Sequence, residues 1–222
     1  MKKRGSEFAY IMTSPTMLIL VALSIFPLLF NIFYSFTDYY FLARKSPDFI
    51  GLQNYINIFK DTYFQQAVFN TVKFTVLAVF FETLLGLAIA LLINSVQKGR
   101  KTLRTLALLP TLLPPVTVAL IWQIMFSNNY GIINKLLGVI GVSPINWLMD
   151  VNTAFYAILV IYVWQYAPFA FLLMYASLQS VPQGQYEAAK IDGAGAWQQF
   201  LYVTLPNISY GITMVILLRT ID

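Results

Sequence analysis

Cysteine and histidine are both absent from the 222 residues. The first absence excludes disulfides, thiolate metal sites and cysteine nucleophiles. The second removes the commonest general base, the commonest metal ligand and the usual pH switch. Charge is scarce too. Asp, Glu, Lys and Arg make up 10% of the chain, where a soluble domain carries about a quarter. Apolar residues fill the space, at 59% hydrophobic and 16% aromatic. They come in blocks close to the ~20 residues that cross a bilayer as a helix. The blocks are continuous and do not alternate as barrel strands do. The fold class is therefore all-α, a polytopic helical membrane protein, with residues 1–222 as one transmembrane domain.

Five blocks are predicted as spans, at about 10–36, 69–94, 106–126, 154–178 and 207–221. The first follows "MKKRGSEF", which is like the basic start of a signal peptide. Its apolar run is too long and lacks a small-residue cleavage site. It reads as a retained helix, broken or kinked at Pro27. Trp147 and the Tyr39–Tyr40 pair suit interfacial belts. Lys2, Lys3 and Arg4, then Lys98, Arg100, Lys101 and Arg104, then Lys190 lie on one side. Arg44, Lys45, Lys60 and Lys135 lie on the other, in longer loops that also hold Asp38, Asp48, Asp61 and Asp150. The positive-inside bias puts the N-terminus, the 95–105 loop and the 181–206 insert in the cytoplasm. The net charge of +5 follows from this topology and does not call for nucleic acid.

The insert is the most organised polar stretch. Pro182 suits the first turn of a helix, helix formers follow through "QYEAAKID", and Gly193 is a natural stop. Asp192 is placed to cap the next segment, in which Trp197, Phe200 and Leu201 share a face. Pro206 is expected to close that helix and open the fifth span. Such a helix, turn and helix with small residues at the knuckle suits docking into a partner's cleft. An interfacial hairpin on lipid headgroups is the alternative.

Polar residues inside the spans are few. Glu82, in the middle of the second, reads as a hydrogen-bonded group at a helix interface, with a pathway contact as the second reading. Asn70, Asn94, Gln123 and Gln165 suit interhelical hydrogen bonds or a hydroxylated solute. Trp122, Trp164 and Tyr166 suit packing or ring stacking, and Pro110, Pro114 and Pro115 break or kink the third span. No P-loop is present, so the chain does not itself hydrolyse ATP.

"EAAKIDGAGAWQQFLYVTLP" resembles the EAA loop of binding-protein-dependent ABC importer permeases. Glu187, Ala188, Ala189, Asp192, Gly193, Ala194, Trp197, Phe200, Val203, Leu205 and Pro206 carry the match. Upstream, "LLPTLLPPVTVALIWQIMFSNNYGIINKLL" and "NWLMDVNTAFYAILVIYVWQYAPFAFLLMYASLQSVP" resemble the sugar-permease branch, through Pro110, Pro114, Ala119, Trp122, Phe126, Gly131 and Asn134. The resemblance implies a non-catalytic permease subunit of an ATP-driven carbohydrate importer in a prokaryotic plasma (inner) membrane. It implies four kinds of partner: a second permease, two cytoplasmic ATPases that bind the ATP, an extracytoplasmic solute-binding protein, and lipid. It assigns ATPase coupling to Glu187, Ala188, Ala189, Asp192, Gly193 and Ala194. The substrate pathway is expected at Pro114, Trp122, Gln123, Gln165 and Tyr166. No metal or bound cofactor is expected. The branch has six spans, so a sixth is expected beyond "VILLRTID". A self-sufficient secondary transporter or channel is the competing reading, and it would need more intramembrane charge than Glu82. An integral membrane enzyme would need a cluster of acids that the spans do not supply.

Overall fold

The apolar blocks fold as helices longer than the blocks themselves. A computed structural model describes residues 2–42 and 46–222, with side chains from residue 10 onward. The side chains of Lys2, Lys3 and Arg4, together with Arg44 and Lys45, lie outside the described residues. Among the described residues, four helices are long and apolar enough to cross a membrane. They become five if one bent pair counts as a single span.

The chain divides into two units, residues 1–70 and 71–222. In the first, α1 (Lys2–Ser35) is unbroken through Pro15 and Pro27. Of the break or kink expected near Pro27, the break is therefore absent; helices in lipid absorb proline through local adjustment. From Tyr10 to Phe33 this helix is exposed on every side, as befits a surface that meets lipid or another chain. Asn54 of α2 (Gln53–Lys60) caps the end of α1. Its amide donates to the carbonyls of Ser35 at 2.9 Å and Thr37 at 2.8 Å. Such terminal carbonyls have no partner within their own helix.

The second unit is built around α7 (Val151–Gln179). Asp150 caps it, accepting from the Asn152 backbone N–H at 2.8 Å. α3 (Thr62–Ser95) and α10 (Leu205–Ile221) pack on α7 through small residues. A Cβ on Gly86 would stand 2.6 Å from Ala170 Cβ and 2.7 Å from the Phe171 backbone nitrogen. A Cβ on Gly211 would meet Ser177. Van der Waals fit between helices replaces the hydrophobic drive that lipid does not supply. Ala90, Ala170, Phe171, Met174, Ile208 and Val215 complete the buried core.

The third apolar block folds as two helices, α4 (Arg100–Leu112) and α5 (Pro115–Met125), bent by 93°. Pro114 stands at the cap of α5 and Pro115 in its first turn, where a missing N–H does no harm. The break frees the Leu113 carbonyl. Buried Gln165 of α7 supplies its partner, with Nε2 donating at 3.3 Å. A short α6 (Ile132–Val139) follows.

After α7 come α8 (Gln183–Ile191) and α9 (Ala196–Gln199). Pro206 does not separate the insert from the last span, contrary to expectation. α9 runs through a wide π turn at Phe200–Thr204 directly into α10. The result is one continuous 26-residue span from Ala196 to Ile221. Proline clashes with the carbonyl four residues earlier, and a π turn opens the helix where that carbonyl lies.

Candidate functional site

The sharpest local geometry is at the end of α8. Asp192 closes the helix, and Gly193 follows with φ +78°, a left-handed conformation that glycine adopts without strain. The Gly193 N–H donates to the Lys190 carbonyl at 3.1 Å, and the Ala194 N–H to the Ala189 carbonyl at 2.9 Å. This pair of bonds is a Schellman closure. Asp192 does not cap the next helix. Gly195 stands there, and Gln198 Oε1 accepts from its N–H at 2.8 Å. The turn spans three residues, so an aspartate at its start is too early to reach the new helix.

Among the described residues, two side-chain hydrogen bonds strap the hairpin to the bundle. Tyr186 Oη and Thr204 Oγ1 are 2.9 Å apart, and Asn207 Nδ2 donates to Gln185 Oε1 at 2.7 Å. Ala189 and Ala194 are half-buried on this inner side. Glu187, Ala188, Asp192 and Gly193 are exposed. Ile191 beside them is 86% exposed, and Trp197 is 68% exposed with its ring stacked on Phe200. The predicted coupling residues thus sort into two sets, one that shapes the turn and one that faces outward. Under them lies a polar cleft of about 600 Å³. Asn94, Arg100, Gln179 and Lys190 help to line it. Gln179 Nε2 donates to Asn94 Oδ1 at 2.8 Å, tying the end of α7 to the end of α3.

The predicted pathway residues do not form one cluster. Gln165 reaches the break in the third block by its bond to the Leu113 carbonyl, next to Pro114 in the chain. Trp122 is half-buried, with its ring 5.6 Å from Trp164 and 5.2 Å from Phe126. Its indole N–H has no partner among the described residues. Gln123 points away from these, into a separate cavity at the end of α5. Tyr166 joins a different group, the one that contains Glu82.

Glu82 is fully buried and paired, which bears on its reading as a bonded interface group. Arg219 of α10 donates from Nε to Glu82 Oε2 at 2.7 Å and from Nη2 to the Tyr162 hydroxyl at 2.9 Å. Its Nη1 donates to Asp222. The guanidinium lies 4.4 Å from the centroid of the Tyr166 ring, a cation–π contact strengthened by its low-dielectric surroundings. Arg219 and Tyr162 were not singled out from the sequence. The signal was a lone arginine in "VILLRTID", an expensive residue in an apolar run that demands a counter-ion.

The fold and this site define a polytopic helical membrane protein with a broken third span and an exposed helix–turn–helix insert between its last two. The family model for the binding-protein-dependent transport system inner membrane component matches residues 82–221, and the chain belongs to that family. It is 38% identical to the trehalose/maltose transport system permease protein MalF of Thermococcus litoralis, over all of this chain and 75% of that one. It is 32% identical to the sulfoquinovosyl glycerol transport system permease protein SmoG of Agrobacterium fabrum, over 96% of this chain and 69% of that one. Among solved structures, a bacterial ABC transporter involved in the import of the acidic polysaccharide alginate superposes with a TM-score of 0.81. That match is at 26% identity, over 97% of this chain and 73% of that one.

Proposed function

We propose that the chain is the permease subunit of an ATP-driven carbohydrate importer and couples to a cytoplasmic ATPase through residues 183–204. The carbohydrate assignment draws on relatives named for trehalose and maltose and on a structural neighbour that imports alginate. Coupling rests on one observation. The bundle builds a rigid closure at Gly193 and then leaves the outer face of α8 unused. A face of Glu187, Ala188, Ile191 and Asp192 combines charge, a small residue and one exposed apolar side chain, so it suits a cleft in another protein. ATP would be bound by two ATPase partners, and the chain would be non-catalytic. A second permease would complete the pathway, and a solute-binding protein would deliver solute to the end opposite α8. The N-terminus and α8 would lie in the cytoplasm. Rigid-body motion of the hairpin would reach the spans directly, because α9 and α10 are one continuous rod. Pro114, Trp122, Gln123, Gln165 and Tyr166 remain proposed pathway residues, with Pro114 and Gln165 at the break and Tyr166 beside Arg219. A self-sufficient secondary transporter is less well supported, since Glu82 is held by an arginine.

Ala188 gives a cleaner test than Ala189, because Ala189 takes part in the turn. Ala188→Trp should overpack the contact, at about 1–3 kcal/mol in a well-packed interface, which weakens docking by roughly tenfold or more. Glu187→Lys should act in the same direction. Co-purification of the ATPase with each full-length variant measures this. Wild-type recovery and wild-type uptake for both would favour a hairpin lying on lipid.

A further inference from the structure

At the end of α5 and α7 remote from α8, the chain folds over itself between Phe126 and Asp150. Buried Asn134 organises this fold. Its Nδ2 donates to the Ile145 carbonyl at 3.0 Å, and its Oδ1 accepts from the Ile145 N–H at 3.1 Å and from Trp147 Nε1 at 2.9 Å. The Trp147 ring is thereby fixed, with the Phe126 ring tilted beside it at 5.3 Å. Both residues line a cavity of about 380 Å³, at the small end of the ~300–1,000 Å³ range of small-molecule sites.

The lining of this cavity is unusual in two ways. Four amide-bearing residues line it, Gln123, Asn128, Asn129 and Asn146, with Tyr130 beside them; Asn128 Oδ1 also accepts from Asn134 Nδ2 at 3.5 Å. None of its lining residues is charged. We propose that this cavity binds one neutral hydroxylated ring, of the pyranose kind, at the solute-entry end of the bundle. An amide offers a two-proton donor and an acceptor on one carbon, which matches a pair of vicinal hydroxyls. An aromatic face pre-positioned by a hydrogen bond receives the C–H face of such a ring. The absence of a lining cation argues against phosphate or uronate, which call for Arg or Lys. This proposal rests on the carbohydrate-importer reading.

The test uses the assembled importer, with full-length permease, in lipid nanodiscs and without its binding protein. Saturation-transfer NMR reads binding of maltose, trehalose and glucuronate. The double variant Asn129→Ala, Asn146→Ala leaves the Asn134 network untouched. Maltose or trehalose should bind the wild type, with glucuronate weaker, and the double variant should lose about tenfold in affinity, the effect of one or two hydrogen bonds. Equal binding by both proteins, or a preference for glucuronate, overturns the proposal. If the importer still takes up sugar in that case, the importer reading survives on its own. If the wild-type assembly with its binding protein moves no sugar at all, the importer reading falls and takes this proposal with it.

Discussion

Arg219→Leu should be among the most damaging single substitutions in the chain. It would leave the fully buried Glu82 carboxylate facing a leucine, with Tyr162 also deprived of a partner. Breaking a buried ion pair by removing one member costs about 3–5 kcal/mol, because the charge that remains is uncompensated. The two residues are 137 positions apart, on α3 and α10, so the loss would loosen the bundle as a whole. The double variant Glu82→Met, Arg219→Leu should recover most of the stability, since apolar replacement of a whole buried pair is often neutral or favourable. Thermal unfolding in detergent of the wild type, Glu82→Met, Arg219→Leu and the double variant forms a double-mutant cycle. Additive losses in that cycle would mean that the pair does not hold the helices together.

Gly193→Val should separate transport from ATP hydrolysis. The φ of +78° at this position costs an L-residue about 1–2 kcal/mol, and a β-branched side chain is the poorest fit. Nothing crowds the site: a Cβ there would meet no atom within 4 Å. The penalty is therefore conformational and confined to the hairpin. Insertion and thermal stability should stay near wild type, while uptake falls and ATPase activity no longer responds to solute. Gly193→Asn should keep most of the coupling, because asparagine visits left-handed φ readily. Measured uptake and solute-stimulated hydrolysis in proteoliposomes give the answer. Equal uptake by the valine and asparagine variants would remove the left-handed turn from the mechanism.

Much of this was legible in the sequence for physical reasons. Long apolar blocks have few ways to sit in lipid, so helices followed from composition. A glycine after "AAKID" is a strong stop signal, and the turn formed there. Pro114 and Pro115 together broke the third block. Pro27 and Pro206 gave the same local signal without a break, because neighbouring geometry absorbed them. Long-range partners were the least legible. Glu82 announced a need for a counter-charge, but only tertiary packing placed Arg219 beside it. Asn134 stood out as part of a family pattern, yet its role as the hub of the 126–150 loop needs the fold to bring Ile145 and Trp147 around it.

The absence of cysteine allows a direct test of coupling. A single Ala188→Cys substitution gives these 222 residues one reactive thiol, on the outer face of α8. A short thiol-to-amine cross-linker applied to the assembled importer should join this residue to an ATPase subunit, and the yield should change when ATP is bound. Val139→Cys, exposed on α6 at the end of the bundle remote from α8, serves as the control and should give no such product. An Ala188→Cys protein that forms no ATPase adduct while remaining active in uptake would contradict the coupling account.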